Sequence, residues 1–279
     1  MSALHQISPR EFEEVQRLAY KKFGLELRSG KEQLVAARLG KKLRELGLKS
    51  FDDYLRHVET DHTGEALIHM IDALATNHTS FFRESAHFEF LGKKILPELE
   101  RAGRIMIWSA ASSTGEEPYS IALFLRESLP AQALSKVRIL ATDISTKALA
   151  KAEQAIYSSE RLRDFPPEWG RRGLLRGTGR WEGSFRIKPE VRRMVEFRRL
   201  NLIEPLPALD SFQVIFCRNV MIYFDKPTQE KVIAQLTSRL DPGGWMLVGH
   251  SESLNGINHR LQYVQPAVYR NPARGGGAA

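Results

Sequence analysis

Apolar residues in the first hundred positions recur every three to four residues, which is the period of an amphipathic helix. The first such segment begins at the capping box Ser8-Pro9-Arg10-Glu11 and stops at Gly24. Three further helical segments are predicted at residues 31–46, 50–58 and 63–75. The pattern therefore predicts an all-helical N-terminal domain, which we place at residues 1–84.

From Arg104 onward, short apolar runs alternate with helical segments, and this alternation is typical of a doubly wound α/β sheet. The predicted buried strands are Ile105–Trp108, Val137–Thr142, Phe212–Cys217 and Trp245–Gly249, the last one following a predicted turn at Asp241-Pro242-Gly243-Gly244. We expect this Rossmann-like domain at residues 85–271. The alternation lapses at about residues 158–197, where paired prolines, glycines and short β-type pieces predict a small inserted antiparallel β subdomain, and residues 272–279 are expected to be a disordered tail.

The turn that follows the first predicted strand is the most informative part of the chain. Residues 109–115 are small, and Pro118 suits the first turn of a helix. That order places a nucleotide-sized ligand at the carboxyl end of the strand. Glu116 and Glu117 stand where a phosphate-binding loop needs bare N–H groups, so a cationic or neutral nucleoside fits better. S-adenosylmethionine is the leading candidate.

Polar residues follow the predicted strands 137–142 and 212–217 and the β-type segment Val195–Leu200. Asp143 is placed to accept hydrogen bonds from ribose hydroxyls, although it could instead cap the next helix, a role that Ser145 could also fill. Asn201-Leu202 and Arg218-Asn219 fall at the same edge, where an adenine ring and a methionine tail would lie. Together, the three strand ends predict one nucleoside site.

Three segments carry a family resemblance: STGEEPYSIA, NHTSFFRE and NVMIYF. They closely resemble the chemotaxis receptor glutamate O-methyltransferases, the CheR family. The resemblance implies S-adenosylmethionine-dependent methylation of glutamate carboxylates on the cytoplasmic helices of chemoreceptors, with S-adenosylhomocysteine as product. It also implies that Arg83 and Tyr223 position the reactants. The implied cofactor contacts are Asn77, Thr79, Arg83, Glu117, Asp143, Asn201, Leu202, Arg218 and Asn219.

Composition narrows the class of protein further. The chain is 42% hydrophobic and 27% charged, which is ordinary for a globular protein. No apolar run of about 18 residues and no signal peptide are present, so we expect a cytoplasmic protein without membrane insertion. The single cysteine, Cys217, excludes an internal disulfide and is expected in the core, and the scattered histidines predict no metal site. We expect a monomer.

Positive charge is concentrated in two places. Residues 160–200 hold twelve basic and six acidic side chains, which suits either docking of an acidic partner or a solvated surface. In the second helix, the leucines at 34, 39, 43 and 46 are expected to face the core, and Arg38, Lys41 and Arg44 to lie opposite or beside them. The resemblance implies that this basic helix binds the glutamate-rich receptor helices. It also implies that the segment RGTGRWEGSFRI could dock a receptor C-terminal peptide as an added strand.

The sequence pI of about 9.6 leaves an alternative, a methyltransferase of the same fold that acts on RNA or another protein. Enzymes that methylate exocyclic base nitrogens place Asn/Asp-Pro-Pro-aromatic where this chain has Cys-Arg-Asn-Val, which argues against that base chemistry. Methylation of RNA ribose or ring carbons stays open as the alternative, and we expect no nucleic-acid partner. A non-catalytic receptor adaptor of the same fold is a further alternative, which the intact set of site residues argues against.

Overall fold

The computed structural model describes residues 6–75, 77–162, 165, 169 and 172–273. These residues form two units. The first contains the chain up to Ala75 together with Tyr223–Thr228, and the second contains Asn77–Ile222 and the chain from Gln229 onward. Most of the predicted tail, from residue 274, lies outside the described residues. No helix in the described part of the chain has both the length and the apolar composition that a membrane crossing requires.

The first unit contains four helices: α1 (Pro9–Phe23), α2 (Glu32–Leu46), α3 (Phe51–Thr60) and α4 (Glu65–Leu74). The predicted capping box is confirmed, because the Glu11 N–H donates to Ser8 Oγ at 3.3 Å and the Ser8 N–H donates to Glu11 Oε2 at 2.8 Å. Gly24 and Gly47 end α1 and α2 in the left-handed conformation. Start and stop signals in the sequence thus set these helix bounds to within two residues.

The apolar face of α2 differs from the prediction. Leu39 and Leu43 are buried as expected, whereas Leu34 is 42% exposed and Leu46 is 48% exposed. Val35 takes the buried position instead. Positions 35, 39 and 43 are four residues apart and therefore share one face of the helix, from which 34 and 46 are rotated away.

The second unit is built on a seven-stranded sheet in the order β6-β2-β1-β7-β8-β10-β9, in which β10 alone runs against the others. Its strands are β1 (Ile105–Ala110), β2 (Val137–Asp143), β6 (Val195–Arg199), β7 (Phe212–Cys217), β8 (Leu240–Val248), β9 (Gln262–Gln265) and β10 (Val268–Arg270). Its helices are α5 (Ser85–Phe90), which runs through a π turn (Leu91–Ile95) into α6 (Leu96–Glu100), then α7 (Glu116–Ser128), α8 (Ala131–Leu134), α9 (Thr146–Gln154), α10 (Pro189–Arg192) and α11 (Lys226–Ser238). The predicted doubly wound sheet is confirmed.

A second, antiparallel sheet of three strands follows α9. It consists of β3 (Ile156–Ser158), β4 (Leu174–Arg176) and β5 (Ser184–Ile187), with short 3-10 turns at Ser159–Leu162 and Gly179–Trp181, and β5 lies in the middle. The segment RGTGRWEGSFRI therefore ends in a strand that is already paired on both sides. Among the described strands of this small sheet, β4 and β3 are the edges onto which a further strand could be added.

The Asp241–Gly244 segment does not separate two elements as the sequence suggested. The strand β8 runs through it, and its register with β7 jumps from Phe212 opposite Leu240 to Val214 opposite Trp245. Gly243 takes up the irregularity with a φ of 77°. The turn-forming residues thus produce a bulge inside a strand.

The sheet order makes β1 the topological switch point, where the strand order of the sheet reverses. From β1 the chain moves to β2 and β6 on one side, and β7 and β8 lie on the other. In open α/β sheets, ligands bind at the carboxyl ends of the strands beside such a switch point. The loops that follow β1, β2 and β7 therefore converge at one edge.

Candidate functional site

The turn after β1 depends on left-handed backbone conformations. Ala111, Ser113 and Gly115 have φ values of 70°, 50° and 93°. A Cβ atom on Gly115 would lie 2.8 Å from both the Cβ of Ala152 and the Oη of Tyr157. Glycine is therefore required here, both by its backbone conformation and by the close approach of α9 and β3.

Asp143 at the end of β2 holds this turn. Its Oδ2 accepts from the Ser113 N–H at 2.7 Å and its Oδ1 accepts from the Ser145 N–H at 2.9 Å, and the residue is 8% exposed. The cap of α9 is Ser145, whose Oγ accepts from the Ala148 N–H at 3.0 Å. Asp143 is thus directed at the turn after β1 and is not the cap of the following helix.

A buried array of three charged side chains joins the segment before α5, the first turn of α7 and the loop after β7. Arg218 Nη1 donates to Glu117 Oε2 at 2.9 Å, and Arg218 Nη2 donates to Glu84 Oε2 at 2.9 Å. The other oxygen of Glu117 accepts from the Ser109 hydroxyl at 2.7 Å. The Arg218 side chain is only 2% exposed, so its charge is compensated inside the protein. We call Glu84, Arg218 and Glu117 the charge array.

Burial by itself would raise the pKa of Glu84, but the charge and hydrogen bonds of Arg218 outweigh burial and hold that pKa below its ordinary value. Neighbouring His87 is 1% exposed, and burial together with the Arg218 charge lowers its pKa to about 3. Glu84, His87 and His250 place potential metal ligands within 4.8 Å of one another. Because Glu84 already pairs with Arg218, whose charge opposes a second cation, we assign Glu84 to the charge array.

The segment before α5 is fixed by bonds to α7 and to the charge array. The Phe82 N–H donates to Ser120 Oγ at 2.9 Å, and the Arg83 carbonyl accepts from Arg218 Nη2 at 2.6 Å. Arg83 itself is 33% exposed in its side chain and donates to the His78 carbonyl at 3.0 Å. Asn77 and Thr79 lie half-buried in the same segment.

Asn219 and the Asn201-Leu202 pair complete this edge. Asn219 has a φ of 58°, and its Nδ2 donates to Glu84 Oε1 at 3.2 Å. Beyond the end of β6, Asn201 Oδ1 accepts from the Ile203 N–H at 3.3 Å and Leu202 is 7% exposed. The Leu200 N–H donates to the Asp143 carbonyl at 3.0 Å, which ties this segment to the end of β2.

The structure thus brings seven of the sequence-predicted site residues to the carboxyl edge of one unit, namely Arg83, Glu117, Asp143, Asn201, Leu202, Arg218 and Asn219. Asn77 and Thr79 belong to the same unit, in the segment that leads to Arg83. Tyr223 belongs to the helical unit, where its carbonyl accepts from the Glu26 N–H at 2.9 Å. Arg38 in that unit donates to the Leu74 carbonyl at 2.5 Å, while Lys41 and Arg44 are exposed on α2.

Sequence reasoning missed the ionic roles of two glutamates. The motif NHTSFFRE ends in Glu84 without indicating a partner for it, and in the structure Glu84 accepts from Arg218, Asn219 and the His250 N–H. Glu116 is fully buried and pairs with Arg161 from the inserted subdomain, which distinguishes it from Glu117 in the charge array. The available signal for Glu84 was an acidic residue beside the cation Arg83 in a predicted loop. Its ionic partner is Arg218, which lies 134 residues away in the chain, so the sequence could not identify the pair.

This fold and this edge define a class: a doubly wound methyltransferase domain joined to an all-helical domain. Residues 77–269 match the family described as "CheR methyltransferase, SAM binding domain", and residues 10–75 match "CheR methyltransferase, all-alpha domain". The chain belongs to the CheR family of chemotaxis methyltransferases, as its motifs indicated.

Several relatives match almost the whole chain. A chemotaxis protein methyltransferase of Borreliella burgdorferi is 39% identical over 95% of both chains. The chemotaxis protein methyltransferase 2 of Pseudomonas aeruginosa is 42% identical over 93% of this chain and 92% of its own. The Escherichia coli chemotaxis protein methyltransferase is 39% identical over 94% and 91%. The similarity therefore includes both units.

Proposed function

We propose that this protein transfers the methyl group of S-adenosylmethionine to glutamate carboxylates on the cytoplasmic helices of chemoreceptors, as a protein-glutamate O-methyltransferase of chemosensory adaptation. The observation that carries the proposal is the carboxyl edge described above, which carries Asp143 and the charge array in a domain of the CheR family. A cytoplasmic monomer is part of the same proposal.

The donor set at this edge fits S-adenosylmethionine. Ser112 and Ser113 in the turn have buried hydroxyl oxygens with no hydrogen-bond partner among the described residues, and a nucleoside could supply one. The Asp143 carboxylate suits ribose hydroxyls, and Glu117 suits an ammonium group. Asn77, Thr79, Arg83, Asn201, Leu202, Arg218 and Asn219 would complete the contacts. When bound, S-adenosylmethionine supplies an electrophilic methyl group on a sulfonium.

The side chains of this protein have little proton chemistry to perform. A substrate glutamate is ionised at neutral pH, so the reaction needs no general base. Arg83 is half-buried, and the planar guanidinium of an arginine suits holding a carboxylate in place. We assign Arg83 and Tyr223 to positioning the reactants and excluding water, which are the contributions that most accelerate a reaction in which charge disappears.

The receptor would be recognised by charge. Lys41 and Arg44 are exposed on α2 and suit a glutamate-rich helix, while Arg38 supports that surface through its bond to Leu74. A C-terminal receptor peptide, if used, would add to an edge of the small sheet, and the β4 edge offers Leu175, which is 46% exposed. We propose these two surfaces as the substrate contacts.

The test uses methyl-labelled S-adenosylmethionine and membranes that contain chemoreceptors. Label released as methanol by mild base identifies glutamate methyl esters, and we expect the Asp143→Ala variant to lose it. Lys93→Ala, which changes an exposed ion pair on α5 and its π turn, serves as the control that keeps activity. Cofactor binding without base-labile label would refute glutamate esterification and transfer the assignment to RNA or another protein acceptor.

A further inference from the structure

A single buried carboxylate joins the loops that follow β7 and β8. Glu252 is 8% exposed and receives four backbone N–H groups. Its Oε2 accepts from Gly249 at 2.6 Å and from Asn219 at 2.7 Å, and its Oε1 accepts from Met221 at 2.7 Å and Ile222 at 3.4 Å. Oε1 therefore binds the loop after β7 alone, whereas Oε2 joins that loop to the loop after β8 at the same edge of the sheet.

The two loops could not take this arrangement without the carboxylate and a glycine beside it. Asn219 has a left-handed φ of 58°, a conformation that non-glycine residues rarely adopt. A Cβ atom on Gly249 would lie 2.6 Å from Asn219 Nδ2 and 2.7 Å from Glu252 Oε2. The loops thus touch each other through Glu252, with no room for a larger residue at 249.

The same contacts lead to the charge array. Asn219 donates its side-chain amide to Glu84 Oε1 at 3.2 Å, and the His250 N–H, next to Gly249, donates to Glu84 Oε2 at 3.1 Å. Both donors are held by the loops that Glu252 joins. A shift of either loop would therefore move the donors of Glu84. Because Glu84 pairs with Arg218, the shift would also move Arg218, which is the partner of Glu117.

We propose that Glu252 is a positioning residue for cofactor binding: it fixes Asn219 and the Gly249-His250 loop so that the charge array is in place before the cofactor arrives. The inference rests on the proposed function, since it takes Arg218 and Asn219 as cofactor contacts. It requires a carboxylate. A glutamine at this position offers only one acceptor oxygen. Its NH₂ group would replace the second carboxylate oxygen and would face backbone N–H donors.

The experiment compares Glu252→Gln with the wild type by calorimetric binding of S-adenosylhomocysteine and by the amide resonances of Asn219, Met221 and Gly249. We expect the variant to remain folded, to bind at least tenfold more weakly, and to shift those amides upfield as their hydrogen bonds weaken. Glu230→Gln is the matched control, because Glu230 accepts a single backbone N–H, from Asn258 at 2.8 Å. That variant should bind like the wild type.

Two outcomes separate this inference from the proposed function. A wild type that fails to bind S-adenosylhomocysteine overturns the proposed function and the inference with it. If the wild type binds and the folded Glu252→Gln variant binds with an affinity within twofold of the wild type, the inference alone is overturned. If Glu252→Gln does not fold, Gly249→Ala tests the same contact with the carboxylate retained, and normal binding by that variant also overturns it.

Discussion

Removing the Arg218 side chain should destabilise this fold strongly. Its guanidinium is 2% exposed and lies between Glu84 and Glu117, whose side chains are 13% and 12% exposed. Replacing Arg218 by alanine leaves two carboxylates in a poorly hydrated site without a cation. Breaking a buried ion pair by removing one partner costs about 3–5 kcal/mol. We expect a loss of that size in the free energy of unfolding at pH 7.

In a domain of this size, such a loss lowers the melting temperature by roughly 10 °C, because each kcal/mol corresponds to about 2–4 °C. The assay is urea and thermal unfolding followed by circular dichroism, with Lys93→Ala as the control. Lys93 and Glu89 form an ion pair at 3.2 Å with side chains 74% and 64% exposed, so its loss should cost less than about 1 kcal/mol.

The pH dependence provides a second check on the same variant. The Arg218 partner holds the folded-state pKa of Glu84 below 4.5, so its contribution to stability is present above about pH 4.5 and is lost as the pH falls through the folded value. In Arg218→Ala the unpaired carboxylates can take up protons instead. The difference between wild type and variant should therefore shrink below about pH 4.5. A loss under about 1 kcal/mol at pH 7, or one that does not change with pH, would refute the reasoning.

Two further predictions concern the turn after β1 and the proposed receptor surface on α2. Gly115→Ala should weaken S-adenosylhomocysteine binding severalfold and lower the melting temperature, because its Cβ would lie 2.8 Å from Tyr157 Oη. Gly103→Ala is the control and should change neither quantity, because its Cβ would meet open space. Equal binding by the two variants would contradict this prediction. Lys41→Glu should slow receptor methylation more at low salt than at high salt, since exposed charges are screened, and salt-independent rates would contradict a role in steering.

The local features of the chain were predictable from the sequence because short-range signals determine them. The capping box at Ser8, the stops at Gly24 and Gly47 and the strand Phe212–Cys217 all appear where their patterns indicated. The buried Cys217 follows from the same apolar run. The family and its site segments could be recognised for a similar reason, because contiguous motifs carry them.

Local signals were misleading where a tertiary neighbour outweighs them. The turn-forming residues at 241–244 became part of β8 because β7 pairs with Leu240 before them, β7 and β10 pair with the residues from Trp245 onward, and Asn271 exchanges backbone hydrogen bonds with Gly243 and Gly244. Leu34 is exposed because the packing of α2 selects the face that carries Val35. In both cases the decisive contacts come from residues distant in the chain, which periodicity cannot register.

The sequence alone determined the fold class, the order of the elements and which strand ends carry polar residues, because periodicity, caps and motifs are local. Only the tertiary structure decided how those polar residues are paired. Arg218 and Glu84 are 134 residues apart, and Glu252 reaches Asn219 across 33 residues. Charge compensation and the sharing of one carboxylate between loops depend on distances that arise only when the parallel strands assemble side by side.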